Sequence, residues 1–246
     1  MKEGFRPIKN IAPIGIMGRA VFYLRFIFDL QNYTIYCSLR KYLKDKKGTV
    51  LDVGCGDSAY RYALNNSCSY MGIDITNHAD FDYDSKDIIY FEGKKIPLET
   101  SSIDSIICTE VMEHHEKPSE LAAEMLRVLK KNGTCFITIP WSARYHYIPY
   151  DYYRYTPASI NKIFAGFSSV EIESRGTDIT SICSKIIVLC ARNIMPVNFF
   201  KWLILPVTLI VFTPVMLLAA AMGHASLLFK AGSKDDPLGY TVYVRK

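Results

Sequence analysis

Residues 51–57 read Leu-Asp-Val-Gly-Cys-Gly-Asp, so an apolar strand runs directly into a Gly-x-Gly turn. A second apolar run, residues 70–75, carries Asp74, which lies 18 positions after Gly56. Because glycine has no Cβ, Gly54 and Gly56 let a ligand approach the backbone closely. A carboxylate at position 74 can accept hydrogen bonds from two ribose hydroxyls. The pattern predicts a nucleoside site at the ends of two neighbouring strands.

Asp52 indicates which kind of nucleoside ligand this site takes. Its carboxylate lies inside the strand, before the turn, where it attracts a cation and repels a pyrophosphate. A dinucleotide site has the pattern Gly-x-Gly-x-x-Gly/Ala, which Ala59 completes here without a third glycine. We therefore favour S-adenosylmethionine, a cationic nucleoside cofactor with an ammonium and a sulfonium group. A strand–helix turn that contains Gly-x-Gly by chance is the alternative.

The remaining sequence alternates between strand and helix patterns. This alternation predicts a parallel sheet that is covered by helices on both faces. Predicted strands lie near residues 49–53, 70–75, 88–91, 103–109, 134–139 and 169–173, and predicted helices near 17–30, 35–43, 58–66, 118–131, 156–166 and 179–193. Apolar residues make up 50% of the 246-residue chain and charged residues 22%, which excludes a disordered protein.

Four spaced motifs within residues 48–175 resemble those of class I S-adenosylmethionine-dependent methyltransferases. They are Thr-Val-Leu-Asp-Val-Gly-Cys-Gly-Asp-Ser-Ala-Tyr-Arg at 49–61, residues 70–76, residues 96–114, and Arg-Val-Leu-Lys…Gly at 127–133. The resemblance implies a Rossmann-like α/β fold with a seven-stranded, mostly parallel sheet of order 3-2-1-4-5-7-6. Its last, antiparallel strand would be residues 240–245. We therefore divide the chain into a basic helical extension, residues 1–47, and a methyltransferase domain, residues 48–246.

The same resemblance implies which residues would bind the cofactor. The methionine end would lie against Asp52, Gly54, Cys55 and Gly56, the ribose at Asp74, and the adenine at Ile75 and Glu92, while Thr109 and Glu110 would close the site. The seven cysteines are odd in number, and none has Cys-x-x-Cys spacing. This pattern favours reduced thiols, and no metal site is expected.

The acceptor side of the site is predicted in the loop 141–155, which is rich in tyrosine. Its run from His146 through Asp151 to Arg154 resembles a subgroup associated with bacterial surface-glycan assembly. Transfer to an oxygen needs a base. We predict His146 for this role, with His114 as a second candidate and with Asp151 and Arg154 positioning the base or the acceptor. The tyrosines would form a lid or a saccharide-stacking surface, or would pack over the sheet edge.

Residues 202–229 contain no Asp, Glu, Lys or Arg. Such a run is typical of a transmembrane helix, but one straight span would take the last strand to the far side of the bilayer. We therefore predict a re-entrant or interfacial hairpin of two short helices within a hydrophobic insertion, residues 197–230. Pro206, Pro214 and Gly223 are the predicted break points. The alternative is a soluble helical insertion, buried against the domain or in a dimer interface.

The basic residues are concentrated near the N-terminus. Residues 1–47 carry ten Lys/Arg and three Asp/Glu, whereas the net charge of the whole chain is +5. This asymmetry predicts an anionic partner surface, either lipid or nucleic acid, or else a solvated helix face. Nucleic acid is disfavoured because residues 109–112 read Thr-Glu-Val-Met, where nucleic-acid methyltransferases have an Asn/Asp-Pro-Pro-Tyr/Phe motif.

Together these features predict an enzyme on the cytoplasmic face of a membrane, attached as a monotopic or re-entrant protein. It would transfer the methyl group of S-adenosylmethionine to an oxygen of a lipid-linked saccharide or of another membrane-embedded acceptor. Two alternatives remain: a non-catalytic S-adenosylmethionine-binding membrane adaptor, and a methyltransferase for a soluble small molecule. The sequence does not indicate an oligomeric state.

Overall fold

A seven-stranded sheet forms the centre of the molecule in a computed structural model, which describes residues 13–75, 88–196 and 198–246. The strands are β1 Gly48–Val53, β2 Cys68–Ile75, β3 Ile88–Phe91, β4 Ile103–Thr109, β5 Leu129–Pro140, β6 Ser169–Arg175 and β7 Gly239–Arg245. Their order is β3-β2-β1-β4-β5-β7-β6, and only β7 runs antiparallel to its neighbours. The predicted fold class and strand order are therefore confirmed.

Seven helices accompany the sheet in the described part of the chain. They are α1 Gly15–Phe28, α2 Leu30–Leu43, α3 Pro118–Val128, α4 Pro157–Ile163, α5 Asp178–Ile194, α6 Phe199–Leu203 and α7 Leu205–Phe229. The helix predicted near 58–66 is only a 3₁₀ turn, Ala59–Ala63, which ends where Leu64 becomes extended. The helix predicted to reach residue 131 ends at Val128, because Leu129 already pairs with Ile103 in the sheet.

Helix α2 forms one of the layers on the sheet. Its Ile35, Leu39 and Leu43 are buried against Val50 and Phe136 in one hydrophobic cluster. Side chains of α3 and α4 belong to a second, larger hydrophobic cluster. Each fully buried aliphatic side chain of this kind contributes about 1.5–3 kcal/mol. Part of the basic segment 1–47 is therefore integral to the sheet domain. Residues 1–12 lie outside the described part of the chain.

The prediction of two short helices within 202–229 is wrong. Residues Leu205–Phe229 form one helix, α7, which pairs with α5, so the chain leaves the sheet along α5 and returns along α7. Pro206 lies in the first turn of α7, where no intrahelical N–H is needed. Pro214 lies inside α7 and does not end it. The hairpin exists, but its first arm is α5.

Gly223 serves close packing rather than a break in α7. A Cβ at this position would overlap the side chain of Leu30 and lie 3.3 Å from the Cβ of Cys183. The missing side chain thus lets α7 approach both α5 and the junction between α1 and α2. The small residues Ala219 and Ala220 are buried in the same cluster.

The helical hairpin α5–α7 is attached to the edge of the sheet where β1, β2, β4 and β6 end, here called the carboxyl edge. Helix α5 follows Arg175 at the end of β6, and the chain after α7 enters β7 at Gly239. In the sheet, Gly239 pairs with both Pro140 and Arg175. Among the described residues, α7 is the one helix that is long and apolar enough to cross a membrane, judged by length and composition alone, and 11% of its most apolar stretch is buried.

Candidate active site

The Gly-x-Gly turn connects β1 to the 3₁₀ turn at the carboxyl edge. Both Gly54 (φ +70°) and Gly56 (φ +50°) have left-handed backbone conformations, which favour glycine. A Cβ on Gly54 would also overlap the side chain of Val111, in the loop after β4. The backbone N–H groups of Gly54 and Cys55 donate to the carbonyl oxygen of Ile73, at 2.9 and 3.2 Å. The turn is therefore held against β2 and packs closely against the loop after β4.

Asp52 lies beneath this turn and is only 1% exposed. The hydroxyl of Tyr70 donates to its Oδ2 at 2.8 Å, while Oδ1 has no hydrogen-bond partner among the described residues. Burial raises the pKa of Asp52 to about 7. A buried carboxylate with an unused oxygen is suited to bind an ammonium group, so Asp52 fits the methionine end of S-adenosylmethionine.

Asp74 is buried at the end of β2. Its Oδ2 accepts the N–H of Gly56 at 2.8 Å, and its Oδ1 accepts the N–H of Ile75 at 2.7 Å. An ionised carboxylate has about four acceptor positions, so Asp74 can hold the glycine turn and still accept a ribose hydroxyl. The side chain therefore fits the predicted role and also organises the turn.

The region predicted to bind adenine lies partly outside the described residues, because 76–87 are not described. The side chain of Ile75 is 3.6 Å from the Cβ position of Gly93, so the ends of β2 and β3 lie together. Glu92 is exposed beside Gly93, and its contact with adenine stays a prediction. Nε2 of His115 donates to the carbonyl oxygen of Gly93 at 2.8 Å, and His115 thus connects the loops after β3 and β4.

An ion pair that was not predicted from the sequence joins the end of β4 to the end of β6. Glu110, which follows Thr109, contacts the guanidinium of Arg175 at 2.7 Å. Arg175 is buried, and it also reaches Gln31 of α2 at 3.2 Å. These residues are distant in sequence, and no motif connects them. The ion pair fixes the carboxyl edge next to the root of α5.

His146, Asp151 and Arg154 lie together in the loop 141–155. The guanidinium of Arg154 binds both oxygens of Asp151, at 2.6 and 2.8 Å. Nδ1 of His146 lies 2.9 Å from the carbonyl oxygen of Arg144 and 3.1 Å from Oδ2 of Asp151. Because a carbonyl oxygen only accepts, this pattern assigns the proton to Nδ1 and leaves the lone pair on Nε2.

The charge state of this group follows from the same contacts. Burial alone would raise the pKa of Asp151, but hydrogen bonds from Arg154 hold it below its ordinary value. Asp151 is therefore an ionised carboxylate beside the Nδ1–H of His146. A carboxylate in this position fixes the tautomer of an imidazole and stabilises the imidazolium that forms when Nε2 takes a proton.

Glu113 and His114 face this group from the loop after β4. Nδ1 of His114 lies 2.6 Å from the carbonyl oxygen of Tyr150, and burial lowers the pKa of His114 to about 4. Its Nε2 is 3.6 Å from Oε1 of Glu113. Glu113 is 0% exposed, and burial raises its pKa well above the ordinary value. Glu113 was not predicted as a site residue. Its place in the run Glu-His-His is the one feature of the sequence that could have indicated it.

The loop 141–155, here called the acceptor loop, packs against the loop after β4 and is hydrogen-bonded to it. The N–H of Tyr152 donates to the carbonyl oxygen of Glu113 at 2.9 Å, and the hydroxyl of Tyr155 donates to that of Met112 at 2.8 Å. The side chain of Val111, two positions before Glu113, occupies the space into which a Cβ on Gly54 would point. The rings of His114 and His146 have centroids 4.9 Å apart, so the three predicted catalytic residues, His114, His146 and Asp151, lie together, and the loop after β4 connects them to the glycine turn. Tyr155 is buried, while five other tyrosines of the loop are partly exposed: Tyr145, Tyr147, Tyr150, Tyr152 and Tyr153.

The chain is similar to known methyltransferases in part of its sequence and in its fold. Residues 51–137 match the family model described as a methyltransferase domain. A solved S-adenosylmethionine-dependent methyltransferase from Archaeoglobus fulgidus aligns with 93% of this chain and 99% of its own, at 17% identity and a TM-score of 0.55. No curated protein sequence matches the chain.

A second solved structure carries a bound product of the cofactor. Phosphoethanolamine N-methyltransferase 2 from Haemonchus contortus, in complex with phosphomonomethylethanolamine and S-adenosylhomocysteine, aligns with 92% of this chain and 56% of its own, at 14% identity and a TM-score of 0.53. Such low identities compare folds and not substrates. Residues 51–137 thus match a methyltransferase domain, and the chain has the fold of solved S-adenosylmethionine-dependent methyltransferases.

Proposed function

We propose that the protein is a membrane-associated O-methyltransferase whose acceptor is a hydroxyl of a lipid-linked saccharide or of another membrane-embedded molecule. The observation that carries the proposal is the chain of contacts from Arg154 through Asp151 to His146. It supports a base beside the glycine turn, which transfer to oxygen requires. S-adenosylmethionine supplies, when bound, an electrophilic methyl group on sulfonium.

Three residues of the acceptor side have separate roles in removing the proton of the acceptor hydroxyl. His146 takes the hydroxyl proton at Nε2 as the new carbon–oxygen bond forms and the carbon–sulfur bond breaks. Asp151 stabilises the resulting imidazolium through Nδ1–H, at 3.1 Å. Arg154 holds Asp151 in place by two hydrogen bonds. General-base assistance of this kind contributes about 10²–10⁴-fold to a rate.

The exposed surface of the helical hairpin supports membrane association. Large apolar side chains are exposed along α6 and α7, with Phe199 85% and Ile210 75% exposed, and soluble monomers rarely expose such a continuous surface. Helix α7 is about 37 Å long at 1.5 Å per residue. The hairpin begins at the carboxyl edge, so it would hold the active site near the headgroups. Helix α1 adds exposed Ile16 and Met17 beside the basic Arg19.

The tyrosines support a saccharide as the acceptor group. The rings of Tyr145, Tyr147 and Tyr150 are partly exposed around the base, and aromatic faces combine apolar area with polar edges. A membrane-held acceptor with a sugar headgroup would place its hydroxyls at these rings while its lipid stays in the bilayer.

Transfer of a labelled methyl group in native membranes tests the acceptor. The membranes are extracted with organic solvent after incubation, for the wild type and for His146→Ala, Asp74→Ala and the matched control His224→Gln, whose side chain lies against α1. We expect lipid-phase label in the wild type and in the control, and none in the other two variants. Release by mild acid would support a pyrophosphate-linked sugar. Label found only in water-soluble products would contradict a membrane-embedded acceptor. Methyl transfer by His146→Ala would contradict the assignment of His146 as the base.

Flotation with anionic phospholipid vesicles tests the membrane surface independently of catalysis. We expect the double variant Val207→Asp/Ile210→Asp to stay in the soluble fraction, while Tyr62→Asp, which changes an exposed aromatic residue away from the hairpin, floats like the wild type. Each charge placed in the apolar layer costs about 2.5–3.5 kcal/mol. Unchanged flotation of the double variant would show that the hairpin is not the membrane contact.

A further inference from the structure

Three potential metal ligands converge on the acceptor side of the site. One ligand atom each from Glu113, His114 and His146 lies within 4.8 Å of the other two. For tetrahedral coordination with bonds of about 2.1 Å, ligand atoms stand about 3.4 Å apart. The separation between Nε2 of His114 and Oε1 of Glu113 is 3.6 Å. Small side-chain rotations would therefore bring all three atoms onto one ion.

The hydrogen bonds of the two histidines leave both rings in the state that binds metal. Nδ1 of His114 donates a hydrogen bond to the backbone carbonyl oxygen of Tyr150. Nδ1 of His146 donates in the same way to the carbonyl oxygen of Arg144. Both lone pairs are therefore on Nε2. Metal-binding histidines almost always donate their other N–H to a carbonyl or carboxylate in this way. Asp151 beside Nδ1 of His146 adds the carboxylate that often accompanies such ligands.

Glu113 provides an independent observation. It is fully buried, and neither carboxylate oxygen has a hydrogen-bond partner among the described residues. Nε2 of His114 is also buried without a partner. The 3.6 Å between them is too long for a hydrogen bond. Buried polar groups without partners destabilise the folded state, and a buried carboxylate does so more strongly than a neutral group. A bound cation would satisfy all of these atoms together.

We propose that Glu113, His114 and His146 bind a divalent transition-metal ion at the acceptor side of the site. Two imidazoles and one carboxylate suit Zn²⁺, Mn²⁺, Fe²⁺ or Co²⁺, and they are too rich in nitrogen for Ca²⁺ or Mg²⁺. Three protein ligands leave a position for water or substrate. The site differs from the sequence-based expectation of no metal because its ligands come from two loops that the fold brings together.

The role of the ion rests on the proposed O-methyl transfer. An acceptor hydroxyl at the open position would be oriented by the ion, and its proton would be more acidic. In a metal-loaded molecule the lone pair of His146 is engaged as a ligand, so it is not the base. Base catalysis by His146 therefore belongs to the metal-free form, and metal titration separates the two forms.

Binding of Co²⁺, followed by its visible absorption, tests the site without requiring catalysis. The protein is prepared in a Cys37→Ser background, because that thiol is exposed and would bind cobalt. We expect one Co²⁺ per chain, displaced by Zn²⁺, and at least tenfold weaker binding in Glu113→Gln and His114→Gln. His224→Gln should bind like the parent. The affinity for S-adenosylmethionine, measured for every variant, identifies those that fail to fold.

Two results would overturn the metal site. Absence of saturable Co²⁺ absorption would do so, and so would equal binding by the parent, Glu113→Gln and His114→Gln. A methyl-transfer assay after chelation then separates the site from the proposed function. Loss of transfer that returns with added metal supports the assigned role. Transfer that persists in the chelated enzyme, with Co²⁺ binding intact, would overturn the role of the ion while leaving O-methyl transfer in place.

Discussion

The cofactor side and the acceptor side of the active site meet at the same sheet edge but are built in different ways. The cofactor side comes from the adjacent strands β1 and β2, and each of its buried carboxylates accepts at least one hydrogen bond. The acceptor side joins Glu113 and His114 to His146 and Asp151, from two separate loops. It leaves three ligand-type atoms without partners among the described residues. The cofactor side is thus held by its own hydrogen bonds and leaves one such atom, Oδ1 of Asp52, whereas on the acceptor side both oxygens of Glu113 and Nε2 of His114 are left.

The largest expected effect concerns the backbone of the cofactor side. Gly54→Ala should weaken S-adenosylmethionine binding at least about 100-fold, because left-handed φ costs about 1–2 kcal/mol for other residues and the new Cβ overlaps Val111. Calorimetry measures the affinity. Gly15→Ala is the matched control, since Gly15 has a similar φ of +67° and open space around it. Equal affinities for Gly54→Ala and wild type would contradict the close-packed turn.

A change on the acceptor side should affect transfer and spare cofactor binding. Arg154→Lys loses the two-pronged contact with Asp151, so we expect methyl transfer to fall about 10–100-fold at unchanged cofactor affinity. Arg127→Lys is the control, because Arg127 makes a comparable contact with Glu124 away from the site. A parallel loss of cofactor affinity in Arg154→Lys would mean that the two sides are not separable.

The pH dependence of cofactor affinity tests Asp52. Its pKa is raised to about 7, and binding of an ammonium group requires the ionised carboxylate. Affinity should therefore fall by about tenfold per pH unit below pH 7 and level off above it. Asp52→Asn should bind more weakly and show no such slope. A wild-type affinity that is constant from pH 5 to 8 would remove Asp52 from the cofactor site.

The smallest expected effect concerns the hydrogen bond that joins the acceptor loop to the loop after β4. Tyr155→Phe removes the buried donor to the carbonyl oxygen of Met112, and we expect a loss of about 1 kcal/mol in the free energy of unfolding. Denaturant unfolding measures it. Tyr145→Phe, at an exposed ring, should change stability by less than about 0.5 kcal/mol. Equal effects of the two variants would show that the loop is not held by Tyr155.

The contrast between the two sides also explains what the sequence could predict. Gly54, Gly56, Asp52 and Asp74 lie in two short runs at the ends of adjacent strands, so spacing alone brings them together. The grouping of His146 with Asp151 was also local. Glu113 was not predicted as a site residue, because its burial depends on the loop 141–155, which is distant in sequence. Arg175 and Glu110 are 65 positions apart in the sequence, and the folded sheet brings them together.

The hairpin shows the same limit of local patterns. Proline and glycine residues suggested breaks within 202–229, but Pro206 lies in a first turn and Gly223 lies where Leu30 packs. The chain does return to the sheet after α7, since β7 pairs with β5 and β6, while its return to the same side of a bilayer stays a prediction. The partner arm, α5, was not recognised as such because its Lys185 and Arg192 interrupt the apolar pattern.

The most direct test of the separation between the two sides measures cofactor affinity and methyl transfer on the same preparations of wild type, Asp74→Ala and His146→Ala. We predict that Asp74→Ala loses both, because Asp74 holds the turn and is the residue predicted to accept the ribose hydroxyls. His146→Ala should bind S-adenosylmethionine as tightly as the wild type and transfer no methyl group to native membranes. Full transfer by His146→Ala, or equal loss of cofactor affinity in both variants, would contradict this division of the site.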